Sequence, residues 1–337
     1  MQYQFYFQID RKICFNREHI QSCTVGNNTK NQSLLFIKEN YNGELIDWDK
    51  FFEEREAIKQ DCKNGKMLKN CEGCHFLETK DWDNINTKRE FKTVQISHYL
   101  RYNSNCIYCE NNTPYNQKDK TPDTYNSVPI ILDMIEKGYI NTNTHMDFVG
   151  GEPTLYYKFE ELLSLLIENK IKDIIVHSNV ILYSKAIETG IKKGCVSLCV
   201  SVDAGSKDIH EKVKGVKSFD KVWKHIKKYA KAKNPLMKNR IELKYIIIPD
   251  LNDTEEQIEL WINRSIKACV NNLVLNADNN IFIKRHTEEE KNRMLKKVVE
   301  LADFFIDKVR EKNIRYRTEF NVNSAYRILN RNIPYYE

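Results

Sequence analysis

Glycine and proline are scarce in this sequence, at 11 and 7 of 337 residues, which excludes a collagen-like chain and long flexible linkers. No apolar run reaches the roughly 18 residues that a membrane-crossing helix needs. The opening residues Met1-Gln2-Tyr3-Gln4 lack the charged-then-apolar pattern of a secretory leader. The expectation is a soluble, cytoplasmic protein with no membrane partner. A charge excess is also missing: 53 Lys and Arg against 47 Asp and Glu leave a formal net charge of +6. The lysines are spread along helical stretches such as Lys221-Val222-Trp223-Lys224, where they read as a solvated face. No arginine-rich run or nucleic-acid module accompanies them, so nucleic acid is not an expected partner. Neither Gly-x-Ser-x-Gly nor a P-loop occurs, which leaves serine-hydrolase and NTPase readings without support.

What the chain does hold is cysteine, ten in all. Disulfides are disfavoured in a cytosolic compartment, so metal or redox use is the expectation. Cys14, Cys23, Cys62, Cys71, Cys74, Cys106 and Cys109 crowd the first third. Cys195, Cys199 and Cys269 lie in apolar settings and read as core residues, since a free thiol packs as a small hydrophobe.

Residues 1–90 show short apolar pieces and one helical stretch near Asp47 to Gln60, with cysteines between. They read as a small cysteine-rich module whose core is slight without a metal. From residue 91 the pattern changes. Strand candidates Thr93–Ser97, His145–Val149, Asp173–His177, Ser197–Val202, Ile241–Ile248 and Asn272–Leu275 alternate with helical stretches near 124–138, 156–169, 182–193, 218–232 and 254–268. That alternation predicts an α/β fold with a parallel sheet and right-handed crossovers. An open doubly wound sheet and a full or partial (β/α) barrel both fit, and either puts its chemistry at the C-terminal strand ends. The division expected is 1–90, 91–285 and a 286–337 helical tail opening with a helix over Thr287 to Lys312.

Two segments carry chemistry. Tyr102-Asn103-Ser104-Asn105-Cys106-Ile107-Tyr108-Cys109 follows the first strand, and two cysteines on one short turn can aim both sulfurs at one metal or cluster. Gly150-Gly151-Glu152-Pro153 ends the second strand; it can bring backbone close to a ligand and offer a carboxylate to an ammonium group. The plainer alternatives are a zinc half-site for the cysteines and a helix cap for Glu152.

Over residues 92–285 these segments, taken in order, resemble the radical S-adenosylmethionine (radical SAM) superfamily. Cys106 and Cys109 match the second and third cysteines of its C-x3-C-x2-C cluster loop, Tyr108 the aromatic and Asn103 the asparagine. Gly150-Gly151-Glu152-Pro153 matches the SAM-binding turn, and His177-Ser178-Asn179 the third strand end. Ser201-Val202-Asp203 with Val213-Lys214-Gly215 resembles the fourth-strand segment and its following helix end, and Pro249-Asp250-Leu251-Asn252-Asp253 the loop after the fifth strand.

The resemblance implies a partial (β/α)6 TIM-like barrel. It also implies a 4Fe–4S cluster that cleaves SAM to a 5′-deoxyadenosyl radical, hydrogen abstraction from a substrate the sequence does not name, and an electron donor such as flavodoxin or ferredoxin. It assigns Glu152 to the SAM ammonium, with Gly150, Gly151 and Pro153 shaping the turn. Ser178, Asn179 and Ser201 would meet SAM polar groups, and Lys244 its carboxylate. The plainer reading makes Ser178, Asn179 and Ser201 strand-end caps and leaves Lys244 facing solvent.

One departure matters as much as the match. Tyr102 stands where the family has its first cluster cysteine. Three readings stay open: a cluster held with Tyr102 or an outside ligand, recruitment of a cysteine from the N-terminal module, or a cluster-deficient relative that binds a ligand or partner without radical chemistry. In the N-terminal module, Cys71-Glu72-Gly73-Cys74 with Cys23 forms a second candidate site for zinc or an auxiliary cluster. It loosely resembles a SPASM or twitch element moved forward.

Overall fold

The computed structural model describes residues 3–6, 12–16, 19–21, 33–36, 46–65, 77–80, 88–109, 125–237 and 240–334. Cys23, Cys71 and Cys74, and with them the auxiliary metal site, lie outside the described residues. The chain divides into two compact units, Met1–Arg101 with Thr121–Val176, and Tyr102–Lys120 with His177–Glu337.

The first unit contains β1 (Tyr3–Tyr6), β2 (Lys12–Phe15), β3 (His19–Gln21), β4 (Ser33–Phe36), α1 (Trp48–Lys63), β5 (Leu77–Lys80), β6 (Thr93–Ile96), α2 (Val128–Glu136), β7 (His145–Phe148), α3 (Phe159–Glu168) and β8 (Asp173–His177). β8, β7, β6 and β2 run parallel in that order; β3 and β4 extend the sheet antiparallel, and β1 pairs with β5 separately. The alternation of Val94, Ile96, Met146, Phe148, Ile174 and Val176 buries one side of the parallel strands, as period-two patterning requires. Phe159, Leu162, Leu163 and Leu166 recur at helical spacing and make the buried face of α3.

β2 was not anticipated as part of this sheet. Its Ile13, Cys14 and Phe15 are buried, and its register matches Ile13 to Val94. Phe51 and Phe52 of α1 pack edge-on and stacked, respectively, against Phe91, while the Trp48 indole N–H donates to Asp133 at 2.6 Å. These described residues of the N-terminal stretch thus share an aromatic core with the segment that carries β6.

The second unit contains α4 (Lys185–Lys193), β9 (Val196–Ser201), α5 (Lys207–Lys214), α6 (Phe219–Ala232), β10 (Ile241–Ile247), α7 (Glu255–Lys267), β11 (Asn272–Ala277), α8 (Asn280–Ile283), α9 (Glu288–Glu311), β12 (Arg315–Thr318) and α10 (Phe320–Ile328). β9 to β12 are parallel and adjacent in sequence order. Helix ends follow local chemistry. Ser184 caps α4 through the Ile187 amide, Thr254 caps α7, and Thr287 with Glu290 forms a reciprocal capping box on α9.

The α/β class read from the sequence holds, with eight parallel strands among the described residues rather than six: β2 and β12 are the additions. Of the three cysteines read as core, one is buried. Cys199 is buried, Cys195 is half-buried, and Cys269 is exposed in a left-handed turn after α7. The apolar stretch that suggested burial belongs to its neighbours Ala268 and Val270.

Candidate functional site

In the first unit, β7 ends in the glycine turn. Gly151 is demanded by the chain's own packing: a Cβ there would stand 2.8 Å from the Tyr99 and Arg101 carbonyl oxygens. The glycine therefore lets backbone approach backbone, and the Glu152 amide donates to the Arg101 carbonyl at 2.8 Å. Glu152 is buried at 2% exposure. One of its carboxylate oxygens accepts from the Thr154 amide at 3.2 Å and the Thr154 hydroxyl at 2.6 Å, so the capping role weighed from the sequence is real. Pro153 opens the short 3-10 turn that Glu152 caps.

His98, just past β6, was not singled out by sequence. It is buried, stacks on Tyr125 at 4.6 Å and meets Tyr156 edge-on at 4.8 Å. Neither ring nitrogen has a hydrogen-bond partner among the described residues. Burial pulls its pKa from 6.5 to about 3. The unfolded chain then binds a proton that the folded chain refuses between those values. The contribution of His98 to stability is full above pH 6.5 and is lost as pH falls toward 3. The unfolding free energy is expected to drop by about 1.4 kcal/mol for each pH unit below 6.5 from this histidine. Urea titrations at pH 7, 6 and 5 check it, and His98→Phe should flatten that slope; an unchanged slope would exclude His98 as its source.

In the second unit, the loop from Tyr102 to Cys109 is fastened to three elements. Asn179, after β8, donates to the Asn103 side-chain oxygen at 2.6 Å. The Asn105 amide donates to the Lys214 carbonyl at 2.7 Å and the Ile107 amide to the Val213 carbonyl at 3.1 Å, both at the end of α5. The Tyr108 hydroxyl donates to Asp203 at 2.7 Å, after β9. Gly215, at φ +67°, closes α5 where a Cβ would stand 2.8 Å from that of Asn105. Cys106 and Cys109 are both half-buried and joined by a turn, the Cys109 amide donating to the Cys106 carbonyl at 3.2 Å.

The electrostatic centre is Asp203. It is fully buried, with a left-handed backbone at φ +58°. One carboxylate oxygen takes the Tyr108 hydroxyl and the Lys214 ammonium, the latter at 2.5 Å; the other takes the Ile246 amide of β10 at 2.8 Å. Lys214 is 3% exposed and also donates to the Tyr108 oxygen at 2.9 Å. Burial alone would lower the Lys214 pKa, but Asp203, with the thiols Cys106 and Cys109 adding to it, raises it above the ordinary lysine value. Desolvation first, then Asp203, pushes the Tyr108 phenol well above its usual range. The ring of His210 bridges the Val202 carbonyl and the Ser218 hydroxyl, and burial lowers its pKa to about 4.

The remaining expected SAM contacts have local partners. The Ser178 hydroxyl accepts from the Val180 amide and the Asn179 side-chain oxygen from the Ile181 amide, each at 3.0 Å. Ser201 is the last residue of β9 and registers with Lys244 on β10. Lys244 does not simply face solvent: it pairs with Glu319 at 2.5 Å and its side chain is 21% exposed. In the sequence Asp203 and Lys214 stand only as members of matched motifs, with no role of their own. Two buried opposite charges eleven residues apart, one ending a strand and one ending a helix, were the missed signal.

The donor set can be weighed against the implied cluster. Two thiols sit on one turn, and the Tyr102 phenol stands at the first-cysteine position. Among the described residues no group of three or more His, Cys, Asp or Glu side chains could hold a metal. A cluster taking three thiolates from this loop does not fit; the loop offers a two-thiolate anchorage.

The comparisons with known proteins bear on the family and the fold. The family model described as Radical SAM superfamily matches residues 96–262. The chain is 24% identical over 205 residues to a GTP 3′,8-cyclase of Pasteurella multocida, covering 59% of this chain and 58% of that protein. It is 24% identical over 273 residues to a probable dual-specificity RNA methyltransferase RlmN of Malacoplasma penetrans, covering 76% and 72%. The crystal structure of Streptococcus suis SuiB bound to S-adenosylmethionine aligns with a TM-score of 0.53 at 15% identity, over 87% of this chain and 59% of SuiB. The chain thus spans less than two thirds of the cyclase and of SuiB. The structural likeness is one of fold.

Proposed function

Residues 96–262 are a radical SAM superfamily domain, and from that premise we propose that the protein is a radical SAM-type enzyme. It binds SAM and anchors a 4Fe–4S cluster through Cys106 and Cys109. The observation that carries this reading is the half-buried thiol pair on a turn fastened to Asp203 and Lys214 at the C-terminal end of β9. In this family the bound cluster and SAM supply radical chemistry. This chain's own residues bind and orient. Glu152 takes the SAM ammonium through a carboxylate already desolvated and oriented by Thr154. Gly150, Gly151 and Pro153 shape that turn. Ser178, Asn179 and Ser201 are assigned to SAM polar groups by the motifs they match, and Lys244, which belongs to none of those motifs, to the SAM carboxylate. An electron donor such as flavodoxin or ferredoxin follows from the same chemistry.

Glu152→Gln keeps the shape and removes the charge. A charge-assisted hydrogen bond contributes about 1.5–3 kcal/mol, so SAM affinity should fall roughly 10- to 100-fold. Isothermal titration of SAM into anaerobically reconstituted protein measures this; equal affinity for the variant would remove Glu152 from the site.

A second reading, a cluster-deficient relative that binds a ligand or partner without radical chemistry, is favoured by Tyr102. Anaerobic reconstitution with iron and sulfide, followed by electron paramagnetic resonance of the reduced protein, separates the two. A cluster signal that Cys106→Ala abolishes supports the enzyme. Its absence from the unaltered chain supports the relative.

A further inference from the structure

The cysteine loop is fastened through side-chain and main-chain groups on both sides of Cys106. Asn103 and Asn105 are held through a side-chain oxygen and a main-chain amide, Ile107 through its amide, and Tyr108 through its hydroxyl. The Cys106 thiol lies 3.6 Å from the Ser104 hydroxyl. At the other end, Asp203 is itself fixed. Its second oxygen takes the Ile246 amide, and its carbonyl takes the Asn252 side-chain amide at 2.9 Å. Asn252 also donates to the Ile246 carbonyl at 2.8 Å and accepts from the Ile248 amide at 2.6 Å. The chain of contacts thus runs from β10 through Asp203 and Lys214 to Tyr108, which lies between the two cysteines in sequence.

We propose that Tyr108, Asp203 and Lys214 are positioning residues that set the geometry of the Cys106–Cys109 turn before any metal arrives. Buried, charge-assisted contacts are short and directional. A site held this way presents its ligands already oriented, and binding does not have to order the loop. The proposal uses the reading of Cys106 and Cys109 as ligands for its consequence, but the preset turn itself is a property of the metal-free chain.

Amide hydrogen exchange on the full metal-free protein tests the preset turn. The Asn105 and Ile107 amides should be protected in the unaltered chain. Tyr108→Phe removes one hydroxyl and leaves the Asp203–Lys214 pair intact, so the fold is retained. Exchange at Asn105 and Ile107 should rise about tenfold, with amides of β10 such as Leu243 unchanged. Lys214→Arg should keep the protection, while Lys214→Met should lose it. A merely structural role would move β10 along with the loop. Cobalt(II) then serves as a metal probe, through its thiolate charge-transfer absorption: Tyr108→Phe should bind about tenfold more weakly. Loop exchange and cobalt affinity unchanged in Tyr108→Phe would overturn the proposal. Failure to take up iron in reconstitution would sink the enzyme reading alone, because the exchange data come from protein without metal.

Discussion

On the proposed enzyme reading, Tyr102→Cys is expected to convert a labile cluster into a retained one. The unaltered loop supplies two thiolates, so a cubane there leaves two irons without a thiolate from this loop rather than one. A phenol is longer and harder than a thiol and suits iron–sulfur chemistry less well. After anaerobic reconstitution and desalting, the variant should keep about four irons per chain. The unaltered protein should lose iron to a chelator at least tenfold faster. The clamp makes this sharp, because the turn needs no rebuilding to accept the third sulfur: Asn103 and Asn105, immediately beyond position 102, are already tied to Asn179 and Lys214. Equal iron content and equal loss rates for the two proteins would show that position 102 is not a ligand position.

The second large effect concerns the buried pair. Asp203→Asn keeps a side chain that tolerates the left-handed backbone at φ +58° and can still accept from the Ile246 amide. It leaves the Lys214 ammonium, 3% exposed, without its counter-charge. Breaking a buried pair from one side costs about 3–5 kcal/mol. Urea denaturation at pH 7 should show that loss. Asp203→Asn with Lys214→Met should recover most of it, since neither member is then a stranded charge. A double variant as unstable as the single would mean that the loss comes from elsewhere, such as the Tyr108 hydroxyl.

Much of this arrangement was readable in the residues. The six expected strands lie at or within two residues of β6 to β11, because their β-branched and apolar runs are bounded by turn residues. The tail helix matches its capping box at Thr287 and Glu290. β2 and β12 escaped notice for opposite reasons. Lys12-Ile13-Cys14-Phe15 has one polar residue before three buried ones, too short to show a period. Arg315-Tyr316-Arg317-Thr318 carries arginines at alternate positions and looks like a turn until Tyr316 is seen buried. The site divided in the same way. Cys106, Cys109 and Glu152 announce themselves by residue type and spacing. Asp203 and Lys214 depend on a strand end meeting a helix end, which spacing alone does not report.

β12 has a further consequence. Among the described residues it pairs with β11 alone, which makes it the last strand of its row. An uncovered strand offers unpaired amides and carbonyls to any extended peptide. This one is only four residues long and sets Arg315 and Arg317 at exposed or half-exposed positions along it, with Arg317 tied to Glu242 and Glu319. Two molecules meeting there would have to bring like charges together and break those ties, so the border of the sheet discourages end-to-end growth into fibres at high concentration.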